Sequence, residues 1–250
     1  MEKYRLPFGT GRLWLVRAWE IFTKAPLCAA GLLALYALCL SLPNMIVGFP
    51  YISALLAALA TPFAALSFAS CGKQLRLGER PTIISCLSEG FKNPLIRNKL
   101  LLLGFIYGVC VILISLLISA LSASSVANWK EVNGHIDPNT VIDNIPWLAF
   151  IVGSILYSML LGVTAFSPML IAWRGQSIAK AFFFSLVVCW RNLAPIICLG
   201  LLLFLITVGL AIPLSLFGAF ADVLAVAEMF VISCLSYCSL YPMWRSIFEE

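Results

Sequence analysis

Three observations predict an all-α fold, a polytopic membrane helix bundle with six transmembrane helices in three hairpin-like units and amphipathic interfacial helices on one side. The first is a set of six apolar runs, at about 26–47, 50–71, 99–121, 147–173, 195–216 and 220–241. Each matches the ~20 residues, at 1.5 Å per residue, that cross the ~30 Å hydrocarbon layer as a helix. The second is charge: of 16 Lys and Arg residues, only Lys130 falls in the segment 122–146. The others flank the runs two at a time, which places them on the cytoplasmic side by the Lys/Arg retention rule. The third is composition. Hydrophobic residues make up 62% of 250 and charged residues 11%, and mean hydropathy is +1.02, which excludes a water-soluble domain.

Before the first run stand Lys3, Arg5, Arg12, Arg17 and Lys24, with no short hydrophobic region and cleavage site ahead of them. The first run is therefore expected to stay as an anchor. On a 100° wheel, Arg12, Arg17, Glu20, Thr23 and Lys24 share one arc. Trp14, Leu15, Ala18, Trp19, Ile21 and Phe22 share the other, and Leu13 and Val16 intrude on the polar side. That pattern predicts a helix lying in the interface. Runs one and two are joined by Gly48-Phe49-Pro50, too short for anything but a turn.

Residues 72–98 carry Lys73, Arg76, Arg80, Lys92 and Arg97, with Lys99 at the next run's edge. Within them, Thr82, Ser85, Ser88, Glu89 and Lys92 lie opposite Ile83, Ile84, Cys86, Leu87 and Phe91, a second interfacial helix started by Pro81-Thr82. Segment 122–146 holds Glu131, Asp137 and Asp143 against Lys130 and is expected to be the one sizeable exterior loop. A third helix, 177–191, keeps little polar arc beyond Lys180 and Arg191 and is expected to sit deeper or against protein. Both termini fall inside.

Each interfacial helix closes on a similar junction: Phe22-Thr23-Lys24-Ala25-Pro26, Phe91-Lys92-Asn93-Pro94 and Trp190-Arg191-Asn192-Leu193-Ala194-Pro195. Thr61-Pro62-Phe63, Ser167-Pro168-Met169 and Tyr241-Pro242-Met243 echo one another further on. Proline at such points ends one helix and lets another begin. The pattern divides the single membrane domain, 1–250, into units 9–72, 80–173 and 175–243, all inserted in the same sense.

Gly11-Arg12-Leu13-Trp14, Trp19-Glu20-Ile21-Phe22-Thr23-Lys24-Ala25-Pro26 and Gly78-Glu79-Arg80-Pro81 ahead of Phe91 resemble a family of uncharacterised proteobacterial inner-membrane proteins with six spans. The resemblance runs over most of the chain. It implies topology and a bacterial inner-membrane location, and no mechanism.

Few residues in the spans carry chemistry. Glu228, about eight residues into the last run, is a carboxylate in hydrocarbon and so a functional candidate. It shares a face with Ser236, and that face is expected to meet protein. Gly104-Phe105-Ile106-Tyr107-Gly108 is a GxxxG that permits close helix packing, with internal packing expected over dimerisation. Pro62 and Pro168 are expected to kink their helices.

The nine cysteines, at 28, 39, 71, 86, 110, 189, 198, 234 and 238, form no C-x-x-C and show no metal-ligand spacing. They read as small packing residues. No cofactor or metal is implied, and His135 reads as a solvated loop residue. No hydrolase elbow, phosphate-binding loop, zinc-protease or dinucleotide motif occurs, so an enzyme is not expected. The basic residues lack a nucleic-acid module around them.

These readings point to a membrane scaffold or accessory subunit. Arg12, Arg17, Lys24 and Lys92 would contact anionic lipid, and the small-residue faces would pack within the bundle or against a membrane-protein partner. The alternative is a small proton- or cation-coupled transporter or channel using Glu228.

Overall fold

The structure is a computed structural model and describes residues 5–46, 48–132, 135–216 and 218–249. Lys3 and Val47 lie outside the described residues, as do the side chains of Glu131 and His135. Three times a short helix precedes two long stretches. α1 (Thr10–Lys24) leads into α2 (Pro26–Ile46) and α3 (Pro50–Arg76). α4 (Ile83–Phe91) leads into α5 (Pro94–Ala127), then α7 (Trp147–Thr164) and α8 (Ser167–Arg174). α9 (Ile178–Arg191) leads into α10 (Leu193–Ser215), then α11 (Ala221–Cys238) and α12 (Leu240–Phe248). Between α5 and α7, β1 (Glu131–Val132) pairs antiparallel with β2 (His135–Ile136), and α6 (Pro138–Asp143) follows.

Six stretches are long and apolar enough to cross a membrane: Pro26–Met45, Pro50–Arg76, Pro94–Ala127, Trp147–Arg174, Leu193–Leu214 and Ala221–Phe248. The chain is an all-α integral membrane bundle.

Local chemistry sets the boundaries. Thr82 and Ser85 form a reciprocal capping box at the start of α4, satisfying two otherwise orphaned amides. Asn93 accepts from Leu95 N at 2.9 Å with Pro94 beside it, so α5 starts on its own cap. α8 stops at Gly175, whose φ of 65° suits a residue without a Cβ.

Two expected single spans are broken. The fourth divides at Ala165 and Phe166, and the sixth at Ser239. Pro168 and Pro242 supply no amide for the carbonyls four residues earlier, and Phe166 N instead donates to Ser185 Oγ at 3.1 Å. Pro62 by contrast lies within an uninterrupted α3, so only one of the two expected kink sites interrupts its helix.

Across the bundle α10, α11, the α2–α3 pair, α5 and α7 follow one another in contact. α3 is central: 56% of its most apolar window is buried, against 11% for the α7–α8 stretch. The buried core gathers at the end of the bundle that carries the basic segments, around Trp14, Leu66, Phe68, Met169, Ile171 and Trp244.

α1 departs from the wheel. Trp14, Ala18 and Ile21 are buried in protein, while Leu13, Val16 and Trp19 face outward. Gly11 explains it, because a Cβ there would run into Pro195 O and Cys198 Cβ, so the helix lies directly on the first turns of α10. α9 buries Ala181 and Ser185 and leaves Phe183, Phe184 and Trp190 exposed.

Candidate functional site

The basic end contains a small pocket of about 170 Å³ where α1, the end of α3 and α12 meet. Arg17, Glu20 and Lys24 enter from α1, Leu75 and Arg76 from α3, and Tyr241, Pro242 and Arg245 from α12, with Gly72 at its wall. Arg17 and Lys24 stand seven residues apart on α1, two turns along one face. Gly72 allows α12 to approach α3, since a Cβ there would meet the Tyr241 ring at 2.7–2.8 Å. Arg76 donates to Tyr241 Oη at 3.4 Å and to Glu249 at 2.6 Å. The Arg76–Glu249 pair is exposed and contributes little on its own. Arg17, Lys24, Arg76 and Arg245 thus line one pocket together with Glu20, and Arg76 pairs with Glu249 beside it.

A neighbouring hub ties this end together. Glu89 of α4 accepts from Lys73 Nζ at 2.8 Å and from Trp173 Nε1 at 2.5 Å, and the Lys73 ammonium lies 4.7 Å from the centre of the Trp173 ring. Burial alone would raise the Glu89 carboxyl. The ammonium and the hydrogen bonds outweigh it and hold the group below the usual glutamate range. Arg174 donates to Phe248 O at 2.6 Å beside the rings of Trp244 and Phe248.

Of the lipid-contact candidates, Arg17 and Lys24 converge in the basic pocket, while Arg12 and Lys92 are exposed outside it. Arg76 and Arg245 join them. Neither stood out in sequence, because nothing there shows that residues 173 and 228 positions from Glu249 and Arg17 share one wall.

Glu228 borders a separate groove of about 590 Å³ between α1, α10 and α11. Apart from this carboxylate its lining is apolar, from Leu15 and Trp19 to Leu210, Ile232 and Leu235. Glu228 Oε1 is buried and has no hydrogen-bond partner among the described residues. Ser236 is exposed and lies outside the groove, so the two do not form one polar site. Gly104 and Gly108 are buried against α3: a Cβ at Gly104 would meet Leu59 Cα at 2.8 Å, and one at Gly108 would meet Ala58 Cβ at 2.8 Å.

No family model matches the chain, and no solved structure matches it. It is similar to a probable inner membrane protein of Burkholderia thailandensis, 28% identical over 99% of this chain and 94% of that one. The likeness extends end to end.

Proposed function

We propose that this is a bacterial inner-membrane protein that serves as a membrane-embedded scaffold or accessory subunit, holding an anionic lipid headgroup at its basic end. The observation that carries the reading is the convergence of Arg17, Lys24, Arg76 and Arg245 on one small pocket. Basic pockets between spans on the cytoplasmic side suit phosphate headgroups, and each nearby Lys or Arg contributes about 1 kcal/mol. The Lys/Arg distribution supports placing this end, and both termini, in the cytoplasm. The relative's inner-membrane description supports the location. Outward Leu13, Val16 and Trp19 would enter the acyl region beside the headgroup. The role is binding, with no catalysis.

The test is phospholipid retention by the purified protein after exposure to equal phosphatidylglycerol and phosphatidylcholine. Phosphatidylglycerol should be retained preferentially, and Arg17→Gln with Lys24→Gln should lower that retention about tenfold or more. Arg12→Gln with Lys92→Gln should change it little. Equal retention by the pocket double variant and the unaltered chain would remove the reading.

A second reading, proton- or cation-coupled transport, is favoured by the unpartnered Glu228 Oε1 beside its groove. It ranks lower because that groove offers no second ionisable group. Solute flux in proteoliposomes that disappears in Glu228→Gln would reverse the order.

A further inference from the structure

Three cysteines separated by 43 and 15 residues in sequence meet inside the basic end. Cys28 lies in the first turn of α2, Cys71 near the end of α3 and Cys86 in the middle of α4. All are buried, their sulfurs lie within 4.8 Å of one another, and Cys28 Sγ and Cys86 Sγ are 3.9 Å apart.

The packing around α4 holds this arrangement. Ile83 lies over Gly31 of α2 in the space a Cβ would take. Ser85 Oγ donates to Gln74 Oε1 at 2.8 Å, Glu89 pairs with Lys73, and Phe91 stacks on Phe63 with centroids 4.6 Å apart. Contacts on both sides of Cys86 therefore fix its position against the two long helices, as a preorganised ligand set requires.

The donor chemistry is all sulfur. Among the described residues no His, Asp or Glu joins the group, so calcium and magnesium, which take oxygen, are poor occupants. Thiolate donors select soft ions. The size also fits: an equilateral sulfur triangle with an edge of 3.9 Å has its centre ~2.3 Å from each sulfur, a metal–thiolate bond length. At the widest separation allowed, 4.8 Å, the centre is ~2.8 Å away, so closing on an ion moves each sulfur by about half an ångström.

Structural zinc takes four ligands, and an iron–sulfur cluster is held by four cysteines. Copper(I) is satisfied by three sulfurs in a plane. Each thiol that binds as thiolate releases its proton.

We propose that Cys28, Cys71 and Cys86 form a three-sulfur site for a soft monovalent metal ion, copper(I). Orientation by the Lys/Arg rule places it on the cytoplasmic side, where thiols stay reduced.

The experiment is anaerobic titration of the reduced, detergent-purified protein with copper(I) against a chromophoric copper(I) chelator. One ion per chain is expected. Cys71→Ser or Cys86→Ser should weaken its binding by about tenfold or more, whereas Cys110→Ser should leave it unchanged. No binding that competes with the chelator, or binding unaltered in both site variants, overturns the proposal. X-ray absorption of the copper-loaded, unaltered chain reads the same point without a variant that must fold. About three sulfur neighbours are expected, and a shell dominated by nitrogen or oxygen overturns it. Tighter binding of zinc(II), undisplaced by copper(I), also overturns it.

Discussion

The two ends of the bundle are built differently. At the basic end, α3 is buried almost continuously from Pro62 to Gly72, and its first residues, Pro50 to Ile52, are exposed. The far halves of the other spans show the same openness, with Leu113, Phe150, Phe204, Ile212 and Val226 each 60% or more exposed. Apolarity does not distinguish the ends, since both are greasy. Polar connections between helices do more, being concentrated at the basic end among the described residues, although Ser53 Oγ with Pro43 O and Ser115 Oγ with Tyr157 Oη join helices further out. Trp14 Nε1 donates to Ser246 Oγ at 3.0 Å, Trp173 Nε1 to Glu89, and Ser185 Oγ to Gly162 O at 2.7 Å. In a bilayer, hydrocarbon solvates a leucine as well as a neighbouring helix does, so close packing and hydrogen bonds decide where helices adhere. The knit end is where short amphipathic helices bring indoles and hydroxyls to the spans. The far end presents its apolar surface to acyl chains.

The largest expected break in this contrast comes from Trp14→Ala against Phe204→Ala. Trp14 is 0% exposed and Phe204 is 62% exposed. Removing the indole empties a packed site and takes one donor from Ser246 Oγ, which keeps its own bond to Pro242 O; the loss should be about 3–5 kcal/mol. Phe204→Ala should cost under ~0.5 kcal/mol, as an exposed substitution. Denaturation of both variants in one detergent reads the difference directly, and equal losses would mean that the far half is covered as tightly as the basic end.

Glycine sharpens the same comparison at smaller amplitude. A Cβ at Gly104 would stand 2.8 Å from Leu59 Cα and 3.0 Å from Ala58 O, whereas one at Gly209 would meet nothing within 4 Å. Gly104→Ala should therefore destabilise by about 1–3 kcal/mol through overpacking. Gly209→Ala should be neutral or slightly stabilising, because alanine is the better helix former. Thermal unfolding of the two variants side by side checks the sign as well as the size.

The hydropathy runs and the Lys/Arg positions made the six spans readable, because length and charge retention act locally along the chain. The short helices were equally legible, through Pro81 with Thr82 and through the proline junctions. Two features were not. The wheel for α1 separates polar from apolar residues but cannot say whether Trp14 and Ala18 meet lipid or protein; that depends on Gly11 against Pro195, 184 residues away. The candidate sites depend on distance in space even more. Arg17 and Lys24 were visible as basic residues on one arc, whereas Arg76 and Arg245 join them only once α3 and α12 close on α1. Cys28, Cys71 and Cys86 carry no ligand spacing because each comes from a different helix. Ser236 shows the opposite error: a shared wheel face with Glu228 did not become a shared groove.

The smallest expected effect is also the one that pH can tune. Glu89 joins α4 to α3 and α8 through Lys73 and Trp173, and its folded-state carboxyl lies below its ordinary value. A depressed carboxylate contributes stability that is fully present above the unfolded value of ~4.3 and is lost as pH falls through the lower folded value. Stability at neutral pH should thus exceed that below about pH 4, with little change between neutrality and pH ~5. Glu89→Gln, which keeps the shape and removes the charge, should lower neutral-pH stability by about 1–2 kcal/mol and flatten the acid limb of the profile. The loss should also be local. Hydrogen exchange in α4 and α8 should quicken, while α7 and the outer half of α10 stay as they are, because those segments never drew their order from the polar junction.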